Sequence, residues 1–152
     1  MPRNHLTTRT LREVWEHLVS HQVTRDLDGW LSCFAADGVM EWPFPIKGVP
    51  ARLDGTEAIR AAVAPVWERA RKTNRRILGH DHVVFHETTD PEVIIVEFDM
   101  LGESARGPFR LATVYLLRIR DGRVVLLREF VDTAALSELF QAGAAPPALR
   151  SS

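Results

Sequence analysis

Apolar residues recur with a helical period at the start of the chain. Leu11, Val14, Trp15, Leu18 and Val19 stand at i, i+3, i+4, i+7 and i+8, one face of an amphipathic helix. Thr7 or Thr8 can cap it, and the stripe runs to about His21. Leu27, Trp30, Leu31 and Phe34 make a shorter stripe that predicts a second helix over Asp26–Ala35, ended by Asp37-Gly38. Val39–Trp42 reads as a short strand, stopped by Pro43 because proline has no ladder donor. The segment Pro43–Asp54 holds three prolines and Gly48 without periodicity, so it is predicted as a loop long enough to cover a pocket. A third helix follows from about Glu57 to Lys72, burying Ile59, Val63, Val66, Trp67 and Ala70, with Pro65 expected to kink or split it.

Beyond residue 75 the period falls to two. Strands are predicted at Arg76–Glu87, Glu92–Gly102, Phe109–Arg120 and Val124–Val131, the last two joined by the Asp121-Gly122 hairpin turn. A turn of helix over Ala134–Phe140 closes the pattern. Residues 1–7 read as a flexible arm, 8–140 as one domain and 141–152, rich in Ala and Pro, as a flexible tail. Three helices before a long antiparallel sheet define an α+β domain whose helices pack on one face of the sheet. Apolar runs such as Val93–Val96 load the second face as well, and a homodimer through that outer face is the expectation.

Composition narrows the function classes. Apolar residues are 45% and charged residues 26%, the range of a globular domain. The net charge of −1 and the absence of a basic stripe argue against nucleic acid. No apolar run reaches membrane-spanning length, and the first residues lack the apolar core of a signal peptide, so a cytoplasmic protein is expected. The single Cys33 lies in an apolar pattern and reads as buried filler.

In the last strand, period two puts Val125, Leu127, Glu129 and Val131 on one face. A carboxylate among aliphatic neighbours is costly to ionise, so Glu129 is the leading candidate acid/base. The plain alternative is an ion pair with Arg118 or Arg110 on the neighbouring strand. Tyr115, the one tyrosine, could orient substrate or stabilise an oxyanion, or simply pack in the core. His80 and His82 alternate onto one strand face with His86 further along, and an inward one would shuttle protons near neutral pH. Glu97 and Asp99 share a strand face and could divide acid and base roles if they look inward.

Trp42 and Phe44 flank the pocket-covering loop, and with Trp15, Trp67 and Phe98 they are candidate walls for an aromatic ligand. For any one of them ordinary core packing is the competing reading. No metal-ligand spacing, phosphate loop, dinucleotide fingerprint or Ser-His-Asp pattern occurs, so neither metal nor organic cofactor is expected. His17 and His21 lie beside the apolar stripe of the first helix and read as rim positions.

The order of elements, with Asp26-Leu27-Asp28-Gly29-Trp30, Phe34–Val39, Leu53–Ile59 and Asp121–Val124, resembles the SnoaL-like branch of the nuclear-transport-factor-two-like superfamily. Thr89-Asp90-Pro91 and Arg128-Glu129-Phe130 look most like the phenazine-biosynthesis A/B proteins and related small cyclases. The resemblance spans roughly residues 8–140 and implies a cone, a curved sheet wrapped by three helices around an apolar pocket. It also implies an acid on the last strand that serves as acid or base, a position Glu129 matches. Against ketosteroid isomerase, that enzyme's base falls on Trp42 and its oxyanion donors on Leu18 and Tyr115, which argues against steroid isomerisation. The epoxide hydrolases of the superfamily set a positive residue among strand acids, and no arginine occupies that pattern beside Glu97 and Asp99. The implied function is a cofactor-independent cyclase, isomerase or ring-opening enzyme for a hydrophobic small molecule of bacterial secondary metabolism. The competing reading is a non-catalytic binding or assembly module of the same fold.

Overall fold

The computed structural model describes residues 9–141. The arm and most of the tail inferred above fall outside that range. Helix α1 spans Leu11–Thr24, later than the Thr7 or Thr8 start, because Thr10 caps it by accepting from the Glu13 amide at 3.2 Å. Helix α2 is only Leu27–Ser32, capped by Asp26. The expected extension to Ala35 is instead strand β1, Phe34–Glu41, and Gly38 ends no helix. Gly38 sits where a Cβ would come within 2.9 Å of two carbonyl oxygens, so this irregular stretch of strand needs a glycine. The last residues of the predicted loop form a short strand β2, Arg52–Asp54, antiparallel to β1.

Helix α3, Thr56–Lys72, runs through Pro65 as one element and is not split. Strands β3 (Arg76–Glu87), β4 (Val93–Ser104), β5 (Gly107–Arg120) and β6 (Arg123–Val131) follow, and α4 (Thr133–Gln141) ends the described chain. The sheet order is β2-β1-β6-β5-β4-β3. Every neighbouring pair is antiparallel except β1 with β6, so the sheet is mixed at that one seam. Among the described residues no helix is long and apolar enough to cross a membrane.

The helices cover one face. Val14, Trp15, Leu18, Trp30, Ile59 and Val63 meet the inward residues Val96, Phe98, Tyr115, Leu117 and Leu127 in one core. A fully buried aliphatic side chain there contributes about 1.5–3 kcal/mol. Three bulges decide which side chains look inward. The β5–β6 register slips between Arg118 and Ile119, so Val124 and Leu127 are buried while Val125 is displaced. On β3 the register slips at Leu78 and again between Asp81 and Val84, where His82 takes a left-handed φ of 51°. The second slip separates two histidines that strict alternation would leave together: His80 turns inward and His82 outward.

Candidate active site

A polar chain crosses the apolar interior. Glu129 on β6 faces Tyr115 on β5 as its cross-strand partner. The indole Nε1 of Trp42, just past β1, donates to Glu129 Oε2 at 3.1 Å. From α1, Gln22 Nε2 donates to the Tyr115 hydroxyl at 3.1 Å, and Gln22 Oε1 lies 3.3 Å from His80 Nε2. With His80 as the Nε2–H tautomer that contact closes, and the Tyr115 hydroxyl keeps its own proton to donate. The Trp15 indole N–H, stacked edge-on against His80 and Phe98, has no acceptor among protein atoms.

Burial sets the acidities. Dehydration pushes the Glu129 carboxyl up to about 7, and the Trp42 hydrogen bond only partly opposes it. Arg118 is turned away to Asp90 and Glu92, at 2.9 and 3.3 Å, and Arg110 binds Asp99 at 2.7 Å on the opposite face. Among the described residues no cation pairs with Glu129, so the ion-pair alternative does not hold there. Tyr115 is held far above its ordinary value, first by burial and then by the nearby Glu129 charge, and so stays a neutral donor. Burial lowers His80 to about 4, which leaves it neutral at pH 7. It therefore serves as a hydrogen-bond donor, and the expected neutral-pH proton shuttle fails at His80.

The interior thus gathers Glu129, Tyr115, His80, Trp42, Trp15 and Phe98 on one face of the sheet. Trp67 stands apart, on the wall of a cavity of about 130 Å³ between α3, α4 and the β3–β5 ends. Gln22 also lines that cavity, so the polar chain reaches its wall. Four expected candidates are elsewhere. Asp99 pairs with Arg110 and His82 on the outer face, where His82 is mostly exposed. Phe44 is 61% exposed and packs on Phe130 at 5.9 Å, away from any inner wall. Glu97 is exposed beside His86, also outward. Alternation along β4 fixes these placements, because Val96, Phe98 and Met100 take the inner side.

Two participants escaped the sequence reading. Gln22 continues the spacing Val14, Leu18, Gln22, so a polar residue on the apolar stripe was its available signal. Arg75, 6% exposed at the α3–β3 junction, sits outside any periodic element and gives none. For metals, the ligand atoms of His17, His21 and Cys33 lie within 4.8 Å of one another. Burial holds the Cys33 thiol at about 11, however, which opposes the thiolate a metal would need. Asp81, Arg110 and Asp99 form an acid–cation–acid cluster like that of a ring-opening hydrolase, but it lies on the outer face.

Comparison with known proteins agrees with this architecture. Residues 12–127 match the SnoaL-like domain family, and the chain belongs to it. An uncharacterised PhzA/B-like protein of Pseudomonas aeruginosa is 31% identical over 122 residues, covering 78% of this chain and 82% of that protein. A crystal structure described as a candidate isomerase of Bacillus subtilis superposes with a TM-score of 0.74 at 21% identity, covering 85% of this chain and 91% of that one. A candidate polyketide cyclase of Pseudomonas putida gives 0.63 at 16% identity, over 86% and 98% of the two chains. The chain shares its fold with both of these structures.

Proposed function

We propose that the protein is a cofactor-independent acid/base enzyme of secondary metabolism in the cytoplasm, cyclising, isomerising or ring-opening a hydrophobic small molecule. One observation carries this reading: an inward carboxyl with no cation partner among the described residues, poised at about 7, beside the neutral donor Tyr115. A group with that acidity can give or take a proton at neutral pH. Glu129 removes a proton next to a carbonyl and returns it elsewhere on the same molecule. The Tyr115 hydroxyl donates to the enolate oxygen as charge develops there. Trp42 orients the carboxyl, and His80 with Gln22 orients the tyrosine. The SnoaL-like family membership and the cyclase- and isomerase-like neighbours support the same chemistry.

The test uses 2-cyclohexenone as a probe, with exchange of its enolisable protons followed by NMR in D₂O. Wild type accelerates exchange, with the rate rising through pH 7 as Glu129 ionises. Glu129→Gln lowers that acceleration on the order of 10²-fold or more while staying folded. Undiminished exchange in a folded Gln variant removes the assignment.

A second reading is a non-catalytic binding module of the same cone. The specific observation in its favour is that Glu129 does not line the 130 Å³ cavity. Saturable binding of the enone with no exchange in wild type would select it.

A further inference from the structure

Three arginines and no acidic residue reach the cavity under α4: Arg25, Arg75 and Arg76. Arg76 is already paired outward with Glu103 at 3.0 Å. Arg75 is different. It is 6% exposed, yet among the described residues no carboxylate lies within salt-bridge distance of it. Among the described residues its guanidinium has only neutral acceptors, the Leu139 carbonyl at 3.2 Å and the Val66 carbonyl at 3.5 Å, with the Phe140 ring 4.9 Å away. Arg25 donates to the Arg75 carbonyl, which holds a second cation at the same wall. The rest of the wall is apolar, including Trp67, Ile77, Met100 and Leu111.

A buried guanidinium without a counter-charge is costly unless something anionic completes it. Arg69 and Arg25 add repulsion on top of the burial. A planar carboxylate matches the guanidinium fork with two parallel hydrogen bonds, which a backbone carbonyl cannot supply. We propose that this cavity is a carboxylate-binding site, in which Arg75, backed by Arg25, takes the anionic group of an otherwise apolar small molecule. The carbonyl of Leu139 and the face of Phe140 are neutral placeholders at the position the anion fills. The inference rests on reading the interior as a small-molecule site, and it makes the ligand class of this cavity more specific: a cyclic acid rather than a neutral hydrocarbon-like molecule. Its cavity of about 130 Å³ is close to the roughly 150 Å³ that holds a benzene ring.

The experiment is calorimetric titration of the full chain with benzoate, its neutral isostere benzamide, and inorganic phosphate. Benzoate should bind at least tenfold more tightly than benzamide or phosphate, and Arg75→Gln should abolish the preference while Arg75→Lys keeps part of it. Equal affinity for benzoate and benzamide, or no benzoate binding, overturns the proposal. So does phosphate binding as tightly as benzoate, which would mean a site for bare anions. Arg75 also holds α4 through Leu139, so the Gln variant can lose its fold. The wild-type preference, with a benzoate-induced shift of the Arg75 Nε resonance, then decides alone, and absence of either counts against the site. Exchange of 2-cyclohexenone protons by wild type is read independently of benzoate binding, so failure of the anion site and failure of the acid/base reading are told apart.

Discussion

Glu129 makes the stability of the protein depend on pH in an unusual direction. Its carboxyl stands at about 7 when folded against an ordinary 4.5. Between those values the folded chain holds a proton that the unfolded chain has lost, so this contribution is present below pH 4.5 and is lost as pH rises through 7. The full difference is about 3 kcal/mol as an upper bound. His80 acts oppositely: with a folded value of about 4 against 6.5, its contribution is lost as pH falls from 6.5 through 4. The two trends partly cancel in wild type. Glu129→Gln removes one of them while leaving an oxygen to accept from Trp42. Urea unfolding of both proteins should give similar stability near pH 4, with the Gln variant ahead by about 1–3 kcal/mol at pH 8. Parallel curves would mean that the carboxyl is not held protonated by the interior.

At the scale of elements, Pro65 is the clearest local conflict. It lies exposed within α3, where it leaves the Ala61 carbonyl without its helical donor. Pro65→Ala should therefore stabilise the protein by about 1–3 kcal/mol in urea unfolding, and an unchanged or lower midpoint would show that the proline does not strain the helix. The long strands and the third helix were legible in sequence because long runs rich in apolar residues mark an element even where its period slips: β3 begins and ends at the predicted Arg76 and Glu87 despite two bulges. What escaped lies at bulges and junctions. The His82 bulge breaks the alternation that would put His80 and His82 on one face, and the β1 irregularity at Gly38 made a strand look like a helix end. Glu129 and Tyr115 were legible because β5 and β6 keep register around them. Arg75 was not, since a junction residue's burial comes from α4 and α3 packing around it, which no local pattern encodes.

At the scale of the whole molecule, the sheet is apolar on both sides, but the helices cover only one. The uncovered side presents Val84 at 47% exposure and Phe44 at 61%, beside the half-buried Ile95, Val114, Leu116 and Phe130. Around them stand paired charges of both signs, His86 with Glu97 and Arg110 with Asp99, so a second copy meets no single-sign field. Such a face suits an isologous contact between two sheets, which needs about 800 Å² from each partner. A dimer is therefore expected in sedimentation equilibrium at micromolar concentration. Val114 sits centrally on this face, between Glu97 and Phe130 in register. Val114→Asp should give a monomer, because two carboxylates would be buried against one another across the symmetric contact. Since Val114 points away from the interior, the variant should keep wild-type benzoate affinity. A wild type that sediments as a monomer contradicts the dimer, whereas loss of benzoate binding on dissociation would mean that the partner supports the cavity through the sheet.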